Sequence, residues 1–398
     1  MHLSPREAFF AHLAQTSPSP LGLEIASAEG HYLYDPAGNA YLDLISGISV
    51  SSLGHNHPRI VQRIKDQADR FLHTMVYGET IQAPASELGA RLASALPASL
   101  SMTFLTNSGS EAVEGAMKLA KRCTGRSAFV AQTDAYHGST QGPLSLMSNV
   151  YYNQKYHPLL PGVRFIDQND LAAVEQLPDE GVAAIFVELV QAERGSKVSD
   201  KAYIEALRAY CDRTQSLLVF DEIQTGIGRT GTLFCFEQYG VVPDVLLLGK
   251  ALGGGLPIGA FITRPEWMLQ LSDKPILGHL STFGGNALVC AAADEALSIV
   301  MEELEQFQVQ DKSDRFKKQL VHRHIKEVRG LGLLLAVQVE STERCMAAIR
   351  YLLEQEGVFS DWFLYEPSCL RLAPPLSITF EEIDRACASI LRALNHVS

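Results

Sequence analysis

The chain has 398 residues, 46% of them apolar, and a formal charge of −12. That length leaves room for a large core in two subdomains, the apolar content argues against disorder, and the acidity, with no basic run, argues against a nucleic-acid surface. Seven scattered cysteines without a C-x-x-C pair fit reduced thiols in the cytoplasm rather than a disulfide framework or a zinc site.

Met1–Pro18 lacks the basic and then apolar form of a secretory signal. Within it, Ser4-Pro5-Arg6-Glu7 is spelled as a capping box opening a short helix. His31–Leu44 alternates on either side of Asp35-Pro-Ala-Gly-Asn39, which predicts a hairpin. A helix is predicted from Pro58 to about His73. His55 and His57 have no Cys or acidic partner at ligand spacing, so they read as capping or packing residues, and no metal is expected. Ser101–Thr106 reads as a strand that runs through Asn107-Ser-Gly-Ser-Glu-Ala112 into a helix ending near Lys121. The small-residue turn at Ser108, Gly109 and Ser110 would expose backbone amides suited to a phosphate, although a plain serine N-cap has the same spelling. No Walker A lysine follows, which excludes a nucleotide loop. Phe129–Gln132 is predicted as a strand ending near Asp134-Ala-Tyr-His-Gly138, where Tyr136 is either a core tyrosine or a stacking platform. Ala183–Leu189 is predicted as a strand carrying Glu188.

The stretch from Leu217 to Thr263 is the most specific. Leu217–Phe220 and Val245–Leu248 read as buried parallel strands, the first ending in Asp221 and the second in Gly249-Lys250. Ligands bind at the carboxyl ends of such strands, so both charges are expected in one crevice. From Val245 to Ile262 the only charged residue is Lys250. An unpaired buried ammonium is costly. The lysine therefore either snorkels to the surface or has a lowered pKa and attacks a carbonyl as a Schiff-base lysine. In the second case Asp221 would keep a pyridinium nitrogen protonated. Five glycines and Pro257 in the run argue against a membrane span. Further on, Pro257–Thr263 is predicted as a strand, 303–322 as a polar helix, and Val328–Glu340 as one strand. Ser341–Gly357 is predicted as a helix, Cys369–Ala373 as a short strand, and Thr379-Phe-Glu-Glu382 as a capping box for the last helix.

DEIQTGIGRTG followed by GKALGGGLPIGA resembles the signature of the class III, pyridoxal-phosphate-dependent aminotransferases, and about ten motifs from Gly30 to Leu376 follow that family's order. The resemblance implies an α/β chain of the aspartate aminotransferase-like fold type I. It implies a large domain with a mostly parallel sheet over 61–300 and a small α/β domain over 301–398 to which 1–60 contributes. It implies pyridoxal 5'-phosphate on Lys250 as an internal aldimine, Lys250 also shuttling the proton, with Asp221 at the ring nitrogen and Tyr136 and Ile223 on the two ring faces. Gln224 would lie near the phenolic oxygen, and Glu188 would belong to the cofactor-binding set. Ser108, Gly109 and Ser110 would cradle the phosphate, with Thr282 contributed across the interface of a homodimer that shares its active sites.

Glu193 and Arg371 match the family's pair, which parts when a dicarboxylate oxo acid enters. On local sequence alone Arg371 is a surface arginine at a strand end. Four positions depart from the family: Leu189 replaces a proline, Ala192 replaces a glycine, Arg194 stands where a small residue is usual, and Ser139 stands where relatives acting on ornithine-like or 4-aminobutyrate-like substrates carry an arginine. Without that bidentate anchor, weak discrimination for ornithine-like carboxylates is expected. Arg194 reads as exposed, with a relocated carboxylate anchor as the alternative. The expected substrates are a small amine or amino acid and a 2-oxo acid, with no nucleic acid or membrane partner. An aminomutase or racemase would share Lys250 and Asp221. A nicotinamide-dependent dehydrogenase is suggested by GIGRTG at Gly226–Gly231, but that match begins past the strand end rather than in a tight strand-to-helix turn.

Overall fold

In the two apolar runs, alternate residues face opposite sides of a pleated strand, and both sides here are apolar. In the computed structural model, which describes residues 3–397, Leu218, Phe220, Leu246 and Leu248 enter one core with Leu207 and Leu297. Leu217, Val219, Val245 and Leu247 enter another core with Val113, Met117 and Phe261. A sheet covered on both faces is what near-continuous apolar strands require.

That sheet has seven strands: β1 (Met102–Thr106), β2 (Ala128–Gln132), β3 (Val163–Ile166), β4 (Val182–Val187), β5 (Leu217–Asp221), β6 (Val245–Gly249) and β7 (Gly259–Thr263). They lie in the order β1-β7-β6-β5-β4-β2-β3. β7 pairs antiparallel with both neighbours, and every other pairing is parallel. The reversal follows from the tight turn at Lys250–Gly253, closed by Gly254 and Gly255 at φ +58° and +108°. β4 stops at Val187, so Glu188 lies just past the strand expected to carry it.

Gly109–Thr124 forms the helix after β1, with Ser108 at its N-cap accepting from Glu111 N at 3.2 Å. Gly125 ends it at φ +68°, the left-handed conformation that favours glycine. The helix lies close on the sheet through Gly115, where a Cβ would meet Phe261 Cε1 at 2.2 Å.

Both predicted capping boxes form, at Ser4–Glu7 and Thr379–Glu382. The hairpin pairs Tyr32–Tyr34 with Ala40–Asp43. Ala40–Asp43 also pairs in parallel with Val358–Phe359, joining the two ends of the chain in one sheet. Leu42 and Leu44 accordingly share a core with Phe316, Ile349 and Leu376.

Three further boundaries differ from expectation. The helix from Pro58 stops at Ala68, where the buried Gln67 side chain donates to Phe71 O at 2.9 Å and serves an irregular chain instead of another turn. The polar helix is Val309–Gln319, because Ala287–Glu303 belongs to the preceding helix and Gln308 at φ +49° breaks the path between them. The single strand expected at 328–340 is a hairpin, Ile325–Leu331 against Leu334–Val339. Gly332, at φ +55°, makes its turn, and a Cβ there would meet Arg229 O at 2.6 Å.

Candidate active site

The carboxyl ends of β1, β2, β4, β5 and β6 open on one cavity of about 440 Å³. Lys250, Asp221, Ile223 and Gln224 line it from β5 and β6. Ser108, Gly109 and Ser110 line it from the turn after β1, and Tyr136 and Glu188 from beyond β2 and β4.

Lys250 begins its turn at φ +45°, an uncommon conformation for a residue with a Cβ and one concentrated at functional sites. Its Nζ donates to Gln224 Oε1 at 2.7 Å. Burial draws its pKa down to about 8, with the charge of Glu193 pulling the other way and Arg371 reinforcing the shift. Among the described residues no carboxylate lies within ion-pair distance of Nζ, so the amine is hydrogen-bonded rather than salt-bridged.

Asp221 ends β5 at 6% exposure. Its Oδ1 accepts from Ile223 N at 3.1 Å, and its Oδ2 lies 2.7 Å from Nδ1 of the buried His137. Sequence reasoning passed over His137, whose only signal is adjacency to Tyr136. Glu188 Oε2 accepts from Tyr136 N at 2.9 Å, while Glu188 N donates to Gln132 Oε1 at 2.8 Å. Burial pushes the Glu188 carboxyl well above the usual range, and the Asp221 charge adds to the shift. Both effects disfavour the charged form of Glu188 beside Asp221.

Just before Val50, which lines the cavity, Ser46, Gly47, Ile48 and Ser49 all have φ between +53° and +64°. Asp43 Oδ1 holds this left-handed turn by accepting from Ile45 N and Ser46 N, and His55 Nε2 braces Asp43 Oδ2 at 2.8 Å. His55 is a packing residue, as expected. His57 sits at the N-cap of the helix from Pro58 without bonding its side chain to it.

The remaining expected residues lie outside the cavity wall. Glu193 and Arg371 are both buried, with Nη1 and Nη2 donating to the carboxylate at 3.0 and 2.8 Å. Burial works against ionising Glu193, but the charge and hydrogen bonds of Arg371 outweigh it and hold the carboxyl below its ordinary value. Arg371 is thus a buried paired group rather than a surface arginine. Thr282 is exposed, its Oγ1 3.2 Å from Tyr77 Oη. Arg194 is neither exposed nor in the active-site cavity. It is partly buried, 3.9 Å from Asp134, and lines a separate polar cavity with Lys197 and Arg329. Ser139 Oγ lies 3.2 Å from Tyr136 Oη.

The donor set fits pyridoxal phosphate. A lysine amine with a lowered pKa and a buried carboxylate face one cavity, and the N-terminus of the helix from Gly109 opens on it with its Gly109 and Ser110 turn. Small residues keep the wall thin. A Cβ on Gly109 would meet Ile223 Cδ1 at 2.8 Å, and one on Gly138 would meet Ser110 Oγ at 2.1 Å. No cluster of metal-ligating side chains occurs among the described residues.

The sequence profile of the family described as Aminotransferase class-III matches residues 13–394. The chain is 37% identical over 387 residues to the acetylornithine aminotransferase of Methanopyrus kandleri, covering 96% of each. It is 38% identical to ornithine aminotransferase 2 of Staphylococcus aureus, covering 93% of this chain and 94% of that one. Among solved structures, ornithine aminotransferase from Toxoplasma gondii superposes with a TM-score of 0.89 at 33% identity, covering 98% of this chain and 94% of that one. These relatives are aminotransferases by name, which favours transamination over the aminomutase or racemase alternative and over a nicotinamide-dependent dehydrogenase.

Proposed function

The chain belongs to the class-III aminotransferases and is a pyridoxal-phosphate-dependent transaminase passing an amino group from an amine or amino acid to a 2-oxo acid, and we propose that Lys250 is the residue on which this chemistry turns. The carrying observation is the Lys250 amine itself, facing the cavity with a pKa of about 8 and no carboxylate partner. When bound, pyridoxal phosphate supplies an aldehyde that condenses with amines and a ring that takes up the electron pair left at the amine-bearing carbon.

The chain's own residues do the rest. Lys250 Nζ, its pKa drawn down to about 8, would hold the cofactor and would serve as the proton carrier. Asp221 would face the ring nitrogen with its carboxylate, which His137 Nδ1 holds in orientation. Tyr136 and Ile223 would bracket the ring. Gln224 would serve the phenolic oxygen, and Glu188 braces the Tyr136 backbone. The amides of Gly109 and Ser110, with Ser108 capping their helix, would hold the phosphate, together with Thr282 of the partner subunit in a homodimer. Glu193 and Arg371 form the carboxylate subsite, closed for a carboxylate-free amine and opened for an oxo acid.

Two relatives are named for acetylornithine and ornithine. Here Ser139 and Tyr136 Oη present neutral hydrogen-bonding groups where an arginine would grip a carboxylate. The donor is therefore an amine or amino acid whose recognition does not depend on a carboxylate at that point. Seven unpaired cysteines support a reducing, cytoplasmic setting. No helix of the described residues is long and apolar enough to cross a membrane.

The test is Lys250→Ala against Asp221→Asn. Lys250→Ala abolishes multiple turnover and the lysine adduct trapped by borohydride. Asp221→Asn retains cofactor but slows turnover by about 100-fold or more, as when a preorganised charge is removed. Normal turnover with a trapped adduct on another lysine overturns the Lys250 assignment, and unchanged turnover in Asp221→Asn overturns the other.

A further inference from the structure

Arg371 is 2% exposed, and its guanidinium is surrounded. Nη1 and Nη2 donate to Glu193, Nη2 also donates to Trp362 O at 3.1 Å, and the Phe363 ring centre lies 4.3 Å from Cζ. The last neighbour is Asp361, whose Oδ1 is 2.9 Å from Nε. That contact is close but oblique, and neither Nε nor Oδ1 has an aligned hydrogen-bond partner.

The two carboxylates are carried differently. Asp361 is tied to the strand bearing Arg371, since Arg371 N donates to Asp361 O at 2.9 Å and Ser360 Oγ donates to Arg371 O at 2.8 Å. Glu193 comes from another segment, anchored to the loop after Asp361 by its main chain, since Tyr365 N donates to Glu193 O at 3.0 Å. Among the described residues its carboxylate has only Arg371 and Leu364 N–H as partners, so its side chain can turn away while its backbone stays. If the pair opens, Asp361 stays with the arginine and Glu193 leaves.

We propose that Asp361 is a positioning residue for the 2-oxo acid: it keeps Arg371 seated through Nε while Glu193 yields the Nη1–Nη2 fork to the substrate carboxylate. This rests on reading Glu193–Arg371 as the carboxylate subsite. A guanidinium has donors enough for two carboxylates at once, the fork on one side and Nε on another. Without Asp361, the only counter-charge in contact with Arg371 would be the departing Glu193, and the arginine would be drawn after it. With Asp361, the arginine keeps a neighbour that moves with its own strand. A small rotation of the guanidinium brings Nε into line with Oδ1, so a bond missing from the closed pair forms in the open one and offsets part of the cost of opening. A carboxylate-free amine leaves the pair closed and does not call on this contact.

The test uses the cofactor-loaded enzyme at pH 8, where the Asp361 carboxyl, pushed up to about 6 by burial, is ionised. KM is measured for 2-oxoglutarate, for pyruvate, and for a carboxylate-free diamine as donor, in wild type, Asp361→Asn, Asp361→Ala and Arg371→Ala. In both Asp361 variants the KM of the oxo acids rises about tenfold relative to that of the diamine, the scale of a charge-assisted contact. Asp361→Asn retains the shape and decides the matter if Asp361→Ala does not hold its fold. Oxo-acid KM values that stay put, or that move in step with the diamine KM, overturn the proposal. An oxo-acid KM insensitive to Arg371→Ala overturns the carboxylate subsite as well, whereas sensitivity there with inert Asp361 variants removes only the role of Asp361.

Discussion

At Lys250, burial and a hydrogen bond to Gln224 act on one amine, and burial dominates, drawing its pKa from 10.5 to about 8. The sign for stability follows. The buried ammonium opposes folding in full below about pH 8, and that opposition fades as pH rises from 8 toward 10.5. The sign for reactivity is the same, because only the neutral amine is nucleophilic. In cofactor-free protein, labelling of Lys250 by an amine-directed aryl sulfonate, read by peptide mass spectrometry, should reach half its maximum rate near pH 8. A midpoint at or above 10, like that of surface lysines, would contradict the reading. The reactive lysine is legible in the sequence because it is the only charge in eighteen residues, Val245–Ile262. His137 and Asp361 are not. Their importance lies in contacts with Asp221, 84 positions away, and with Arg371 across a loop.

Among the elements, the helix Gly109–Thr124 has two duties: its first turn faces the cavity, and its body lies on β7. Gly115 permits the close approach, because a Cβ there would overlap the Phe261 ring, itself stacked on Phe104 at 5.0 Å. In an isolated helix Gly→Ala gains about 1 kcal/mol. Here the overlap with a fully buried ring outweighs that gain, as overpacking costs about 1–3 kcal/mol. Gly115→Ala should lower the urea midpoint of unfolding and weaken cofactor retention together, since lifting the helix also lifts the phosphate turn. An unchanged midpoint would show that the ring has room to move. The strand, the turn and the helix are each predicted nearly to their ends, because apolar alternation and a serine cap are local signals. The hairpin at 325–339 escapes prediction because the Gly332 turn is dictated by the Arg229 backbone it packs against.

For the molecule as a whole, a surface too apolar for water bears on assembly. Leu72, Met75, Tyr77, Ile81, Ile276 and Phe283 are all exposed, Ile81 at 93%. Tyr77, Ile81 and Ile276 line a second cavity of about 720 Å³, and Tyr77 Oη lies 3.2 Å from Thr282 Oγ1. An apolar patch of this kind marks an association surface, and the homodimer proposed here places Thr282 of the partner subunit at the phosphate. Mixing Lys250→Ala chains with Thr282→Ala chains under subunit exchange should restore activity above the sum of the parents, because each heterodimer contains one intact site. No restoration despite exchange, or a monomer by light scattering with cofactor bound, would refute the shared site.

The sequence by itself determined the parallel sheet, the crevice at its carboxyl ends and the lysine and aspartate that meet there, since strand periodicity and a lone charge are properties of consecutive residues. Tertiary structure alone decided what surrounds them. Arg194, expected at the surface, faces Asp134 and a different cavity, and Arg371, a strand-end arginine on local reading, is enclosed by Glu193, Asp361, Trp362 and Phe363. The burial of a charge, its pKa and its partners depend on which distant segments fold against it, and no local pattern encodes them.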